Sequence, residues 1–526
     1  MFREAAPARG LIISGICLPL ALFLGYLLAT PDDLASLFWL AVVLFLLALP
    51  FIILRHHALT IVCWNLPVIA FFLPGKQLAG VLMAGLSLLL SIASWTFRRK
   101  NKLFIPSPAT TYPLLILGIV LLITMAATGG LHSNIFGSQQ WGATRYVSII
   151  GALVGYFAII AHPVAPERAK LLTSLYFLSG TGWLLAIGFA LVPNLNLLLA
   201  FFPTYVFQSN SLADLGMEIE RFIGLSYGMQ YLCLFMMMRY GIRGLCDWHR
   251  PWRALIFISA FGLGMYGGFR SLIVLFALLF LVQTYFEKLY RSSIFLGLLG
   301  IGFLSATLIF AFSDRLPLPI QRSISFIPGI NLHPLAQQSA QDTYEWRLEI
   351  WKAVLPDVPH YLLLGKGYGF DSTDFYFAER ASAIAAARGF RVNAQDNAFL
   401  VSGDYHNGPL TLIIPLGIWG ILAFAGFCWG SIRTLHRNFR YGDPALTKIN
   451  TFLLSYFVAK LAFYLIFFGS FYQDLLTFIG ITGVSIAVNG VVTKSPEITS
   501  LQPQPKHLNS SFKSWNLGLA PRLPEV

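Results

Sequence analysis

The stretch ALIFISAFGLGMYGGFRSLIVLFALLFLVQTYF, residues 254 to 286, runs for 33 residues with a single charge, Arg270, near its middle. A helix rises about 1.5 Å per residue and a bilayer core is about 30 Å thick, so one crossing takes about 20 residues. The stretch is too long for one ordinary span. Divided at Arg270 it gives two arms of about 16 residues, roughly 24 Å each. Gly262, Gly264, Gly267 and Gly268 just before the arginine supply a place to break. The reading is a broken helix or sunken hairpin that holds a guanidinium below the outer surface, where a charge is costly unless it meets an anion. The plainer alternative is an arginine that snorkels to the headgroups from a helix end. Reading 254–286 as one span would reverse every later helix. It would also put RTLHRNFR, residues 433–440, outside, against the bias of basic residues towards the cytoplasm.

Working outward, the composition excludes a water-soluble fold. Of 526 residues, 56% are hydrophobic and 11% charged, against roughly 25% charged in an ordinary soluble domain. Mean hydropathy is +0.69. The formal charge of +13 does not point to nucleic acid, because the basic residues sit in short clusters between apolar runs. The five cysteines show neither a disulfide framework nor zinc spacing.

The fold class expected is all-α, a polytopic membrane bundle of about 12–14 transmembrane helices. Spans are predicted near 10–30, 34–54, 58–75, 77–97, 112–129, 146–163, 171–192, 222–239, 254–269, 271–286, 292–312, 408–430, 449–469 and 474–493. The first is preceded by Arg3 and Arg9 and followed by PDD, which favours a retained helix over a cleaved signal peptide. With the N-terminus inside, RRKNK (98–102), PERAK (166–170), IRGLCDWHRPWR (242–253) and RTLHRNFRYGDPALTK (433–448) all fall on the cytoplasmic side. The short outer connections carry only Lys76, Arg145, Arg221 and Arg270. Both termini are then cytoplasmic. The chain divides into membrane helices over 1–312, a large extracytoplasmic loop over 313–407, membrane helices over 408–493, and a Ser-, Pro- and Gln-rich tail over 494–526 that is expected to be disordered. In the loop, YEWRLEIWKAVL (344–355) places Trp346, Ile350 and Trp351 at helical spacing, and AERASAIAAAR (378–388) reads as a second helix. LLGKGYGF (363–370) reads as a glycine-bearing turn between them.

Several residues stand out chemically. Arg221 opens the eighth span beside Glu218 and Glu220, so a surface ion pair is its first explanation. Two outward arginines at membrane depth are nevertheless what a pyrophosphate requires, because the guanidinium fork matches phosphate oxygens and keeps its charge. His406 precedes the twelfth span in SGDYHNGPLTLIIPLGIWG (402–420). It is equally a bystander at a helix start capped by Asp404 or Asn407, with Pro409 in the first turn, and a general base for an acceptor hydroxyl. Lys460 is a charge inside the thirteenth span, its role open. Asp371 and Asp374 form a weak metal-binding pattern. No P-loop, dinucleotide fingerprint or CxxC pair is present, so no cofactor and no metal is expected.

From about residue 217 to 430 the chain resembles the O-antigen ligase and polymerase superfamily of polytopic glycosyltransferases. ERFIGLSYGMQYLCL is similar to the family's arginine-and-glycine segment, with Tyr227, Gly228 and Met229 in place of Asn-Pro-Asn. FRSLIVLF is similar to its serine/arginine break, with the order Arg270-Ser271. WRLEIWKAVLPDVPHYLLLGKGYGF (346–370) resembles the R-x-x-x-W loop helix with its proline and G-x-G turn, and HNGPL (406–410) fits HNxxL before Gly417 and Gly420. The resemblance implies a GT-C-like bundle in a bacterial inner membrane. It implies that Arg221 and Arg270 hold the pyrophosphate of an undecaprenyl-diphosphate-linked glycan donor. It further implies that His406 assists the hydroxyl of a lipid-core or glycan acceptor, with Arg347 as a further phosphate or glycan contact; Asn407 and Lys460 are additional candidates for substrate contact. A ligase is preferred to a polymerase, because HNxxL and one large loop both favour it. The rival from another class, a transporter or flippase, predicts similarity between two halves of the chain; none is visible.

Overall fold

The computed structural model describes residues 17–26, 29, 34–71, 73, 76–98, 103–128, 143–203, 208–212, 217–369 and 403–492. The expected loop helix at 378–388, the pair Asp371 and Asp374, and the expected disordered tail 494–526 lie outside these. In chain order the helices are α1 (Cys17–Tyr26), α2 (Leu34–Cys63), α3 (Ala79–Arg98), α4 (Pro108–Ala127), α5 (Ala143–Ile160), α6 (Pro166–Leu178) and α7 (Trp183–Leu191). After two short antiparallel strands, β1 (Gln208–Leu212) and β2 (Met217–Arg221), come α8 (Ile223–Leu245), α9 (Trp252–Gly264), α10 (Arg270–Phe286), α11 (Ser293–Phe312), α12 (Leu318–Ile324), α13 (Pro334–Val354) and α14 (Val358–Tyr361). The last three are α15 (Leu410–Tyr441), α16 (Thr447–Ile466) and α17 (Phe471–Asn489).

Among the described residues, eight helices are long and apolar enough to cross a membrane, and three shorter apolar helices, Cys17–Tyr26, Thr144–Ile160 and Arg270–Phe286, accompany them. The chain is therefore a multi-pass helical membrane protein. The bundle is built by α4 along α15, α17 against α5, α8 against α9 and α10 against α16. Its centre is aromatic: Phe424, Phe452, Phe457, Tyr464, Phe471 and Phe478 are all buried, with edge-to-face pairs such as Phe424 on Phe471 at 5.4 Å.

One part of the span pattern is corrected. The predicted spans 34–54 and 58–75 share a single helix, α2, which ends at Cys63, and the described residues among 64–78 are not helical. Pro67 has no amide to donate and Pro74 and Gly75 follow. The chain turns back instead, with Ile69 N donating to Phe201 O (2.8 Å), Ala70 N to Gln77 O (2.9 Å) and Ala79 N to Val68 O (2.7 Å). At 30 residues, α2 is about 45 Å long, more than one crossing.

A second departure concerns α15, where the sequence suggests an uninterrupted helix through Gly417. The helix is broken there: Gly417 has φ 65° and ψ −166°, just after Pro415. The glycine-bearing turn 365–367 fits into the gap. Lys366 N donates to Ile414 O (2.7 Å), Gly367 N to Pro415 O (3.0 Å) and Ile418 N to Leu362 O (2.7 Å). Carbonyls and amides released by the break thus find partners inside the protein, as an apolar setting demands. Only glycine fits at the break, since a Cβ on Gly417 would stand 2.8 Å from Leu362 O.

Gly417→Ala is expected to destabilise the purified protein by about 1–3 kcal/mol, read as a lower thermal unfolding midpoint in detergent. An unchanged midpoint would mean that the turn does not hold the break.

Candidate functional site

The site begins at the division read from residues 254–286. α9 ends at Gly264, a short 3-10 turn follows, Gly268 is left-handed (φ 65°, ψ 25°), and α10 starts at Arg270. A helix end leaves carbonyls without intrahelical partners. Here each carbonyl from 265 to 268 is met by a group from elsewhere in the chain. Ser323 Oγ donates to Met265 O (3.1 Å), Phe222 N to Tyr266 O (3.3 Å), Arg221 Nε to Gly267 O (2.9 Å) and Arg322 NH1 to Gly268 O (2.7 Å). Arg221, at the end of β2, and Arg322, on α12, therefore converge on the residues that immediately precede Arg270. A Cβ on Gly268 would lie 3.3 Å from both Arg221 Nε and Arg322 NH1. Arg270 itself donates NH2 to Ala340 O on α13 (2.9 Å), which brings α13 and its Arg347 to the same place.

These four arginines use their donors differently. Arg322, only 4% exposed, also donates Nε to Ser339 Oγ (2.9 Å) and NH2 to Thr343 Oγ1 (2.8 Å); it is chiefly a strut. Arg221 and Arg270 each donate one hydrogen bond to a carbonyl and keep the rest of the fork. Arg347 stacks over Phe468 with its Cζ 5.2 Å from the ring centroid, and its buried Nε has no partner. Among the described residues none of the four forms an ion pair. Burial, followed by the charges of Arg221, Arg270 and Arg347, pulls Arg322 down to about 9 from its usual 12.5. Burial and the charges of Arg270 and Arg221 pull Arg347 down to about 10, and burial does the same to Arg221. A guanidinium does not surrender its proton in a protein, so the cluster keeps its positive charge despite burial and mutual repulsion.

The HNGPL segment closes the other side. The face of α13 bearing Trp346, Ile350 and Trp351 packs on Tyr405, Leu410 and Ile414, and Trp351 Nε1 donates to Tyr405 O (2.9 Å). His406 has a left-handed backbone (φ 51°), uncommon without glycine and concentrated at functional positions. Its ring lies 5.1 Å, centroid to centroid, from both Trp346 and Phe468, and Phe468 also carries Arg347. His406 Nδ1 stands 3.3 Å from Asp404 Oδ1. An ionised carboxylate only accepts, so this contact places the proton on Nδ1 and the lone pair on Nε2. Burial alone would raise the Asp404 carboxyl, but the hydrogen bond and charge of His406 and the charge of Arg145 hold it below its ordinary 3.8. Asn407 is the cap: its Oδ1 accepts from Leu410 N (3.1 Å). Gly408 O accepts from Tyr464 Oη (2.6 Å) and Thr411 Oγ1 (2.8 Å), pinning the segment to α16.

The structure thus brings together Arg221, Arg270, Arg347 and His406 from the residues read in the sequence, and gives Asn407 a structural task. Lys460 is engaged elsewhere. Its Nζ lies 2.7 Å from Asp474 Oδ1, with 13% and 9% of the two side chains exposed, while Asp474 Oδ2 accepts from Ser470 N (2.9 Å) at the start of α17. Arg322 and Asp404 are the members that the sequence did not single out as site residues. The signal for Arg322 was present in LPLPIQRSISFIPGI (316–330), where one charge sits in an otherwise apolar segment. A cleft of about 740 Å³ is lined by the other ends of α8 and α10 and the start of α16, not by these arginines. Its size does not identify it with the chemistry, because the unpaired charge lies at the opposite helix ends. Comparison with protein-family models and with curated proteins finds no match for this chain.

Lys460→Met leaves a buried carboxylate without its partner and is expected to cost about 3–5 kcal/mol. Lys460→Met combined with Asp474→Leu should recover most of that loss in a thermal melt. Asp404, depressed in the folded protein, stabilises above its ordinary value of 3.8 and loses that contribution as pH falls through its folded value. Asp404→Asn should therefore flatten the acid limb of a stability–pH curve below about pH 4.

Proposed function

We propose that the protein is a glycosyltransferase of the O-antigen ligase type, moving a glycan from an undecaprenyl-diphosphate donor to an acceptor hydroxyl at the outer face of a bacterial inner membrane. The observation that carries this reading is the set of arginines without carboxylate partners among the described residues, Arg221, Arg270 and Arg347 framed by Arg322, beside a histidine paired with Asp404. A diphosphate suits that demand in charge and in geometry. The sequence resemblance to the ligase and polymerase superfamily supports the same assignment, as does the orientation expected from the basic loops.

In this mechanism the acceptor hydroxyl attacks the anomeric carbon of the donor glycan. The bond from that carbon to the diphosphate oxygen breaks, and the hydroxyl proton passes to Nε2 of His406. Charge that grows on the departing diphosphate is stabilised by Arg221, Arg270 and Arg347, already held in place by their carbonyl and aromatic contacts. The lipid diphosphate is itself the activated donor, so no nucleotide enters the step. Asp404 keeps the imidazole oriented and stabilises the imidazolium that forms.

The test is transfer by purified protein from undecaprenyl-diphosphate glycan to a lipid-core acceptor. Arg221→Ala and Arg270→Ala should each lower the rate by about 10²–10³-fold, and His406→Ala by about 10²–10⁴-fold, with the variants still folded in the membrane fraction. Wild-type rates in all three would remove the mechanism. Activity should persist in a chelator, and a strict requirement for a divalent cation would contradict the metal-free step. A single transfer to the core identifies a ligase, whereas a ladder of products identifies the polymerase of the same superfamily.

A further inference from the structure

The cleft of about 740 Å³ at the far ends of the helices has a chemistry of its own. It forms where α8 kinks: Gly241 is left-handed with φ 68°, and the freed amides of Ile242 and Arg243 donate to the two oxygens of Glu287 at 2.9 and 3.1 Å. Gln283 Nε2 also donates to Glu287 (2.7 Å). This carboxylate is committed to holding the kink, so it is a weak counter-charge for cations on the cleft wall. Arg253 is such a cation. Its side chain is 11% exposed, its Cζ stacks 4.2 Å from the centroid of Tyr240, and NH1 donates to Gly244 O (3.2 Å). Its Nε is buried without a partner, and Asp247 Oδ2 comes no closer than 3.9 Å. Exposed Arg243 and Lys448 complete a basic rim.

The rest of the wall is apolar. Phe286 and Phe439 line it, and Ile294, in the first turn of α11, forms one edge. From that edge α11 extends for 20 residues without burying one of them; Leu296 is 70% and Phe303 77% exposed. Trp248, 92% exposed, stands at the mouth, the type of residue that settles at a membrane interface. A ligand matched to this surface carries one phosphate-like charge and long apolar chains. Basic pockets between membrane helices bind anionic lipid headgroups in this way.

We infer that this cleft is a headgroup site for an anionic phospholipid, its phosphodiester held by Arg253, Arg243 and Lys448 and its acyl chains lying along α11. The site stands apart from glycan transfer, so either assignment can fail alone. The test uses the full-length protein in detergent, titrated separately with phosphatidylglycerol, phosphatidylcholine and inorganic phosphate. Thermal unfolding and lipid retention in native mass spectrometry are both followed. Phosphatidylglycerol should be retained and should raise the unfolding midpoint, and the other two should not. Arg243→Glu with Lys448→Glu, both at exposed positions, should weaken that retention by at least about tenfold while leaving the midpoint without lipid unchanged. Equal retention of both lipids, or full retention by the double variant, would overturn the inference. A shift reproduced by inorganic phosphate alone would replace the lipid with a free anion.

Discussion

Backbone amides and carbonyls surrounded by apolar groups must find partners within the protein, and wherever a helix in such surroundings is interrupted that requirement falls on side chains and loops. Two interruptions organise this molecule. At Gly417 the released groups of α15 are taken up by the backbone of the 365–367 turn. At residues 265–268 the released carbonyls are taken up by Ser323, Phe222, Arg221 and Arg322. The first fixes where the helix bearing HNGPL stands relative to the glycine-bearing turn. The second gathers charge around the start of α10.

The two are joined through α13. It accepts Arg270 at Ala340 O, presents Arg347 to Phe468, and lays Trp346 against His406. A set of cations that repel one another is thereby held by contacts that are not acidic: carbonyls, hydroxyls and aromatic faces. Such contacts fix guanidinium positions and leave the net charge unquenched. An ordinary structural cation is answered by a carboxylate, as Lys460 is by Asp474. Among the described residues the arginines of the cluster have no such answer.

Much of this was legible in the sequence, for identifiable reasons. A lone arginine in 33 apolar residues leaves few ways to cross a membrane, so the division at Arg270 could be read from length alone. The packing face of α13 followed from the spacing of Trp346, Ile350 and Trp351. The rest depended on contacts distant in sequence. Helical periodicity cannot say that Gly417 interrupts α15, because the interruption exists only once 365–367 occupies the gap. Nor does hydropathy distinguish the span expected at 58–75 from the non-helical return, since both are apolar; Pro67, with no amide to donate, favours the return. Arg322 was passed over because its neighbours give no hint that Gly268, 54 residues earlier, would be its partner. The role of Lys460 stayed open because its partner, Asp474, lies on another helix.

Arg221 and Arg322 are braces of the α9–α10 junction, and with the anion role proposed for the cluster the two duties would be thermodynamically linked. Whatever neutralises those guanidinia relieves the repulsion among them and tightens their grip on the carbonyls of residues 267 and 268. By the reciprocity of linked equilibria, a firmer junction holds the anion more tightly. Repulsion among Arg221, Arg270 and Arg322 acts on this one turn of backbone, so its firmness depends on whatever charge stands beside them.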